Sequence, residues 1–245
     1  MSKTISVITP SYNQGKFIEQ TIQSVLDQSI STLQYIVIDG GSTDETISIL
    51  KKYGSKIEWV CEKDSGQANA LNKGFQKAVG DIIGWLNSDD IYFADTLTTI
   101  LDFFEQHPEI DVLYGDAFHI NAHNDFINQY PTQPWSLKKF MNRCFISQPA
   151  VFFRRHLFKQ SGFLDESLHY CMDYEFWLRL AVQGARFYHL EKTLAATRLH
   201  SDAKTVGQSV RAHAEQIRMI RRYRKVVSIR MILSYIRSLV CSLRM

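Results

Sequence analysis

The chain has 245 residues, 45% of them hydrophobic, and a formal net charge of +3, which fits one large domain or a domain with a tail. Its four cysteines are far apart and form no CxxC pair, which argues against a disulfide framework and against a zinc site. The N-terminal MSKTISVITP is typical of a strand rather than a signal peptide, and no apolar run reaches the length of a membrane span. These features predict a reduced, cytosolic protein.

Charge is unevenly distributed along the chain. Residues 211–245 contain nine Lys or Arg residues and one acidic residue, Glu215, so this segment carries +8. The other 210 residues carry −5. A mildly acidic body with a basic end predicts that this end meets an anionic surface.

The first half of the chain alternates apolar strands with amphipathic helices. The predicted strands are ISVITP (5–10), QYIVID (34–39), IEWVCE (57–62) and DIIGWLN (81–87). Helices are predicted over 15–28, from a capping box of Ser42 and Glu45 to Tyr53, over 66–79 and over 94–107. This alternation predicts a mostly parallel sheet with helices on both faces.

The second half is more mixed. The pattern predicts a β-hairpin over 111–131, a strand over 150–155 and an amphipathic helix over 172–184. RFYHL and TLAATRLH are predicted as two further strands, and the pattern is helical from Val206 onward.

Small polar residues follow each of the four first-half strands. The strand ends read Thr9-Pro10-Ser11-Tyr12-Asn13, Asp39-Gly40-Gly41-Ser42, Glu62-Lys63-Asp64-Ser65-Gly66 and Asn87-Ser88-Asp89-Asp90. Ligands of parallel α/β sheets bind beyond the carboxyl ends of the strands. The convergence of polar and acidic residues therefore predicts a binding site at this edge.

The Asp89-Asp90 pair has two interpretations. Carboxylate oxygens are hard ligands that suit Mg²⁺ or Mn²⁺, which commonly share their coordination with a substrate's phosphates. Alternatively, one of the two carboxylates caps the following helix. The apolar strand before the pair and the acidic ends of the other strands favour the metal.

Several other site classes lack their motifs. The chain has no GxxxxGK[ST] phosphate loop, it has PSYNQG where a dinucleotide-binding fold requires GxGxxG, and it has no GxSxG elbow. ATP hydrolysis by a P-loop, hydride transfer and serine hydrolysis are therefore disfavoured.

Four first-half segments and three second-half segments together resemble glycosyltransferase family 2. They are ISVITPSYNQGKFIEQTIQSVLDQS, IVIDGGSTDET, EKDSGQANALNKGF, GWLNSDD, QPAVFFRR, GFLDESLHYCMDYEFWLRLAVQG and RLHSDAKT. The resemblance covers about residues 4–205 and implies an inverting enzyme with a GT-A (Rossmann-like) α/β fold, of the type used in bacterial polysaccharide assembly.

The resemblance also implies roles for single residues. The nucleotide would be bound by Thr9, Pro10, Tyr12, Asp39, Asp64, Asn87 and Ser88. The metal, Mn²⁺ or Mg²⁺, would be held by Asp89 with help from Asp90, and His200 lies where some members supply a further ligand. A histidine with a purely structural role is the alternative at position 200.

Asp173 in CMDYEFW matches the family's catalytic base, and Glu175 is the second candidate. Such a base accepts the proton of the attacking hydroxyl on the face opposite the leaving group. The alternative for Asp173 is an acid in the first turn of a helix. Two departures from the family pattern stand out: Gly40 where many members have a second acid, and Asn87 at the first acidic position of the DxD motif.

Residues 217–245 combine arginines with large aliphatic residues. Arg230, Arg237 and Arg244 recur every seven residues and share a helix face. This pattern favours an interfacial helix on an anionic membrane, with packing on the body or on a second subunit as the alternative. Nucleic acid is disfavoured as a partner because the segment is too apolar for a solvated basic arm.

These observations predict a glycosyltransferase domain over 1–205, with a nucleotide-sugar half (1–115) and an acceptor half (116–205), followed by a basic amphipathic helical extension (206–245). The expected reaction moves a sugar from a nucleotide-sugar, UDP-linked by family analogy, to a glycan or a lipid-linked glycan. The expected location is the cytoplasm, on the inner face of the membrane. The alternatives are a sugar-nucleotide synthase and a non-catalytic subunit that binds nucleotide-sugar or glycan within a polysaccharide assembly complex.

Overall fold

A mixed β-sheet forms the centre of the chain, and helices cover both of its faces. The computed structural model describes residues 3–200, 209–224 and 227–242. The strands are β1 (Ile5–Ser11), β2 (Leu33–Asp39), β3 (Glu58–Cys61), β4 (Ile82–Trp85), β5 (Ile91–Tyr92), β6 (Val112–Ile120), β7 (Phe126–Gln129), β8 (Val151–Arg154) and β9 (Phe187–Arg198).

Nine α-helices lie within the described residues. They are α1 (Ile18–Leu26), α2 (Thr46–Tyr53), α3 (Gln67–Lys77), α4 (Thr96–Gln106), α5 (Leu137–Phe140), α6 (Leu157–Ser161), α7 (Met172–Val182), α8 (Ser209–Ile220) and α9 (Ile229–Ser242). Two short 3₁₀ turns cover Gly54–Lys56 and Gln148–Ala150. The sequence did not predict the short helices α5 and α6.

Strand order explains how distant residues reach one edge. The sheet runs β3-β2-β1-β4-β8-β6-β9-β5, with β7 paired to β6. Strands β1 to β4 are parallel, as predicted, whereas β8 is antiparallel to both β4 and β6. Strand β6 therefore points the same way as β4, and β9 is parallel to β6. The carboxyl end of β9, followed by His200, consequently arrives at the edge where β1 to β4 end.

The alternating side chains of the central strands fill two cores. On one face, Ile8 packs with Phe75, Phe153 and Trp177 beneath α3 and α7. On the other face, Val7 packs beneath α1 and α4. Burial on both faces explains why β1 and β4 are apolar along their whole length.

Two local predictions were wrong. Helix α2 begins at Thr46 rather than at a Ser42–Glu45 capping box, because the Ser42 hydroxyl donates a hydrogen bond to Asp39. RFYHL and TLAATRLH form the single long strand β9, with its pairing to β6 shifted around Asp116.

The C-terminal helices differ in how they contact the body. In α8, Met219 and Ile220 are fully buried in the core beneath α7. Helix α9 buries Met231 but leaves an exposed aliphatic face, formed by Ile229, Ile232, Leu233, Ile236 and Val240. The predicted boundary at 205–206 and the side chains of Arg230 and Arg244 lie outside the described residues. Among the described helices, none has both the length and the hydropathy needed to cross a membrane.

Candidate active site

The loops after β1 and β2 are locked together by hydrogen bonds. Asp39 is fully buried, and its carboxylate accepts hydrogen bonds from the Gly41 and Ser42 amides and the Ser42 hydroxyl at 3.0, 2.8 and 2.5 Å. The Asn13 amide donates to the same hydroxyl at 2.7 Å. Asp39 thus fixes the shape of both loops at the carboxyl edge of the sheet.

Asp64 lies against the backbone of Gly40. A Cβ atom at position 40 would come within 2.6 Å of the Asp64 carboxylate. Asp64 can therefore occupy this position because residue 40 is glycine. Asp64 also accepts a hydrogen bond from the Gly66 amide at 2.8 Å. The departure from a second acid at position 40 is therefore linked to the presence of Asp64.

The four residues at the end of β1 differ in accessibility. Thr9 is fully buried and its hydroxyl lies 3.1 Å from the Tyr35 hydroxyl, so its side chain supports the edge from inside the core. Pro10 and Ser11 are buried as well. Tyr12, at 60% exposure, presents its ring to the surface.

Asn87 uses its whole side-chain amide. Its oxygen accepts hydrogen bonds from Trp85 and Gln67, both at 2.8 Å, and its nitrogen donates to Asp90 at 3.2 Å and to Gln148 at 3.0 Å. An aspartate could not make the two donations. Asn87 therefore organises the loop after β4, and Ser88 beside it is buried.

Asp90 is buried and connects this loop to the end of β9. Its carboxylate accepts the Arg198 amide at 3.0 Å as well as the Asn87 amide. Burial, together with the neighbouring Asp89 charge, raises the pKa of Asp90 well above its ordinary value, against the opposing effect of these donors. Asp90 thus contributes to the architecture of the loop, which leaves Asp89 as the more accessible carboxylate.

Arg198 was not singled out by the sequence analysis, although it sits in the RLH segment. It is 1% exposed, and its guanidinium donates to the Asp89 carbonyl, the Gln20 side chain and the β6–β7 turn. The guanidinium also lies 5.0 Å from the centre of the Phe17 ring. Burial lowers the pKa of Arg198 against the raising effect of Asp90 and Asp89.

Asp89 and His200 meet at this edge. The His200 Nε2 atom lies 3.0 Å from the Asp89 carboxylate, and the imidazole packs on Phe17. The His200 Nδ1 atom is buried without a hydrogen-bond partner among the described residues. One carboxylate and one imidazole are donors that suit Mn²⁺.

The described residues do not form a complete protein cage for a metal. Within residues 3–200, 209–224 and 227–242, no group of three or more His, Cys, Asp or Glu side chains could hold a metal ion. The residues present therefore fit a divalent cation that takes its remaining ligands from substrate phosphates and water.

Asp173 lies in the first turn of α7 and is partly buried. Burial raises the pKa of this carboxyl above its ordinary value, the amides of Tyr174 and of Asp173 itself oppose that effect, and the charge of Glu215 adds to it. A raised pKa brings a carboxylate closer to the range in which it can act as a general base.

Glu175, the second candidate base, is held in place by other groups. It is 4% exposed, pairs with Arg179 at 2.9 Å and accepts a hydrogen bond from the Tyr223 hydroxyl. Trp177 is buried in the core. Both residues stabilise α7, and of the two candidate acids Asp173 is the one not paired with a cation among the described residues.

A small cleft lies between the two halves of the predicted site. Residues 65–69 form one wall, and Glu166, Leu168, His169 and Met172 form the other. Gln67 on the first wall donates to Asn87, and Met172 on the second precedes Asp173. A wider cleft of about 410 Å³ lies at the opposite end of β4, lined by Lys3 and Arg155 among others, and contains none of the predicted site residues.

The sequence of the chain is similar to those of known glycosyltransferases. The family model described as glycosyl transferase family 2 matches residues 6–176. The chain is 28% identical to an uncharacterized glycosyltransferase of Rickettsia typhi, over 85% of this chain and 68% of that protein. It is also 28% identical to chondroitin synthase of Escherichia coli, over 82% of this chain but 30% of that protein.

Solved structures share the fold. TarS of S. aureus, residues 1–349 in complex with UDP-GlcNAc, superimposes with a TM-score of 0.73 at 21% identity, over 89% of this chain and 65% of that one. The mannosyltransferase PcManGT from Pyrobaculum calidifontis, in complex with GDP-Man and Mn²⁺, gives a TM-score of 0.71 at 16% identity, over 93% and 66%. These similarities confirm the predicted GT-A architecture.

Proposed function

Because the chain belongs to glycosyl transferase family 2, we propose that it transfers a sugar from a UDP-sugar to a hydroxyl group of a glycan or lipid-linked glycan, with inversion at the anomeric carbon. The observation that carries this proposal is the meeting of Asp89 and His200 at the edge where the Asp39 and Asp64 loops also end. This edge offers acidic and aromatic groups for a nucleotide and two ligands for a cation.

The donor would lie across the ends of β1, β2 and β4. The exposed Tyr12 ring offers a stacking surface for a base, and the Asp64 carboxylate offers a hydrogen-bond acceptor. The buried Asp39 would act by holding the loops of this pocket in shape. UDP-linked and GDP-linked sugars are both known ligands of proteins with this fold, and UDP is the first choice because TarS matches this chain at 21% identity against 16% for PcManGT.

Asp89 and His200 would hold Mn²⁺ or Mg²⁺ against the donor diphosphate. A bound cation at this position would supply charge neutralisation for the leaving nucleoside diphosphate, so that no general acid is needed. Asn87 and Arg198 keep the loop that carries Asp89 in shape, through the Asp90 side chain and the Asp89 carbonyl.

Asp173 would accept the proton of the acceptor hydroxyl as it attacks the anomeric carbon. Inversion requires this base on the face opposite the diphosphate. The partly buried position and the raised pKa of Asp173 support this role, whereas Glu175 is already paired with Arg179.

Helix α9 would bind the inner face of the cytoplasmic membrane from the cytoplasm. Its exposed aliphatic face carries Arg237 at one border, the combination that suits an anionic bilayer surface. Membrane contact would bring the site close to a lipid-linked acceptor.

Calorimetric titration of UDP in the presence of Mn²⁺ and then of EDTA tests the donor and metal parts together. Binding should require the metal, and Asp89→Asn should abolish the metal-dependent part because the carboxylate charge is lost. Asp102→Asn, which removes a charge from an exposed position on α4, should bind like the wild type. Binding of GDP but not UDP would correct the nucleotide, and binding of neither would favour the non-catalytic subunit.

A further inference from the structure

We propose that Glu215 of α8 is a positioning residue for the base Asp173, holding the turn before α7 in its catalytic shape and acting on Asp173 through its charge. This inference rests on the proposed function of Asp173 as the base. It makes α8 part of the active-site architecture.

Glu215 contacts the turn before α7 directly, through several hydrogen bonds. Glu215 is 4% exposed, and its carboxylate accepts hydrogen bonds from three consecutive backbone amides, those of His169 (3.0 Å), Tyr170 (2.7 Å) and Cys171 (3.0 Å). These amides precede the first residue of α7, whose N-cap, Cys171, has no side-chain capping hydrogen bond. Glu215 therefore anchors, from another element, the backbone that leads into α7, and it satisfies the amide of the N-cap residue Cys171.

The loop that precedes this turn is held by α3. Asn72 exchanges two hydrogen bonds of 3.0 Å with the backbone of Leu164 and donates to Glu166 at 2.9 Å. Arg222, just after α8, pairs with Asp165 at 2.5 Å. The segment that presents Asp173 is thus held between α3 and the C-terminal helix, and Glu215 is its attachment point nearest to the base.

The electrostatic effect of Glu215 on Asp173 depends on which of the groups near Asp173 are charged. Tyr130, Cys144 and Cys171 also lie within electrostatic reach of Asp173, and burial raises the pKa of each of them, so they are neutral near pH 7. The Glu215 carboxyl, in contrast, stays ionised. Burial raises its pKa, but the hydrogen bonds from the three amides outweigh burial, so that its pKa lies below the ordinary value. A fixed negative charge beside a carboxylate makes that carboxylate a stronger base.

Two substitutions separate the effect of the length of the Glu215 side chain from the effect of its charge. Glu215→Gln retains the length but loses the charge, and Glu215→Asp retains the charge but is one methylene shorter. Both should lower kcat by about 10- to 100-fold, because a small misplacement of a catalytic group costs that much, while UDP binding stays as in the wild type. Only Glu215→Gln should move the acid limb of the pH–kcat profile to lower pH, since Asp173 would then lose its proton more readily. Glu105→Gln on the exposed face of α4 is the charge-matched control and should behave as the wild type.

Hydrogen exchange of the 169–171 amides gives a readout that does not require turnover. Both variants should exchange faster there, with the central strands unchanged. Wild-type kcat and an unmoved acid limb in Glu215→Gln, or unchanged exchange in both variants, would overturn the proposal. If Glu215→Gln does not fold, Glu215→Asp decides by the same exchange measurement. A wild-type protein that neither binds a nucleotide nor transfers a sugar would instead contradict the proposed function, and the exchange result would still show whether Glu215 anchors the turn.

Discussion

Asp173 has a carboxyl group whose environment favours the neutral form. Burial is the largest influence, and the Glu215 charge acts in the same direction. A general base must be ionised to accept a proton, so the rate should fall as the pH falls through this raised pKa. The acid limb of the kcat profile should therefore lie above the ordinary aspartate pKa of about 3.9.

Asp173→Asn tests this assignment. The amide cannot accept the proton of the acceptor hydroxyl, so transfer should fall by about 10²- to 10⁴-fold and lose the acid limb. Metal-dependent UDP binding should remain, because Asp173 lies on α7 rather than on the loops after β1, β2 and β4. Undiminished turnover would show that another group is the base.

The sequence could not explain the two departures from the family pattern, at positions 40 and 87. An amide at position 87 is explained by Gln148, 61 positions away, which accepts a hydrogen bond from it. A glycine at position 40 is explained by Asp64, whose carboxylate lies close to where a Cβ atom would be. Arg198 escaped notice because a buried arginine is recognisable only when its acceptors in three other segments are known. Such partners depend on tertiary structure and leave no periodic signal in the sequence.

At the scale of elements, hydrophobic periodicity predicted β1 to β4 and α7 to within a few residues. The signal is clearest for β1 and β4, which are buried on both faces. The start of α2 was wrong because Ser42 has a stronger acceptor in Asp39 than a helix amide. The basic C-terminal pattern predicted a helix, but periodicity alone could not tell an apolar face packed on the body, as in α8, from an exposed one, as in α9.

The exposed face of α9 should bind anionic membranes. Replacing both Leu233 and Ile236 by serine removes two side chains, each of which contributes about 1.5–3 kcal/mol when fully buried. Sedimentation with vesicles containing phosphatidylglycerol should consequently fall by about tenfold or more, and wild-type binding should weaken in high salt. The matched control is Val79→Ser, at an exposed apolar position on the body. Equal sedimentation of all three proteins would contradict a membrane role for this face.

At the scale of the molecule, the C-terminal segment is not a uniform appendage. Helix α8 contributes Met219 and Ile220 to the core and is followed by Tyr223, which bonds to Glu175, whereas α9 contributes Met231 and an exposed face. A deletion of 217–245 would therefore remove core residues together with the proposed membrane helix. It could not separate loss of folding from loss of membrane binding.

Two truncations should separate these contributions. A chain ending at Ser228 loses α9 and with it one core residue, Met231, so it should melt only a few degrees below the full-length protein. A chain ending at 208 also loses Met219 and Ile220, worth about 1.5–3 kcal/mol each, from a total stability of roughly 5–15 kcal/mol. Its melting temperature should be lower by about 10 °C or more, and its 169–171 amides should lose protection because Glu215 is gone. Equal melting temperatures for the two truncations would show that α8 contributes nothing to the stability of the body, in which case its contacts with the turn before α7 could not position Asp173.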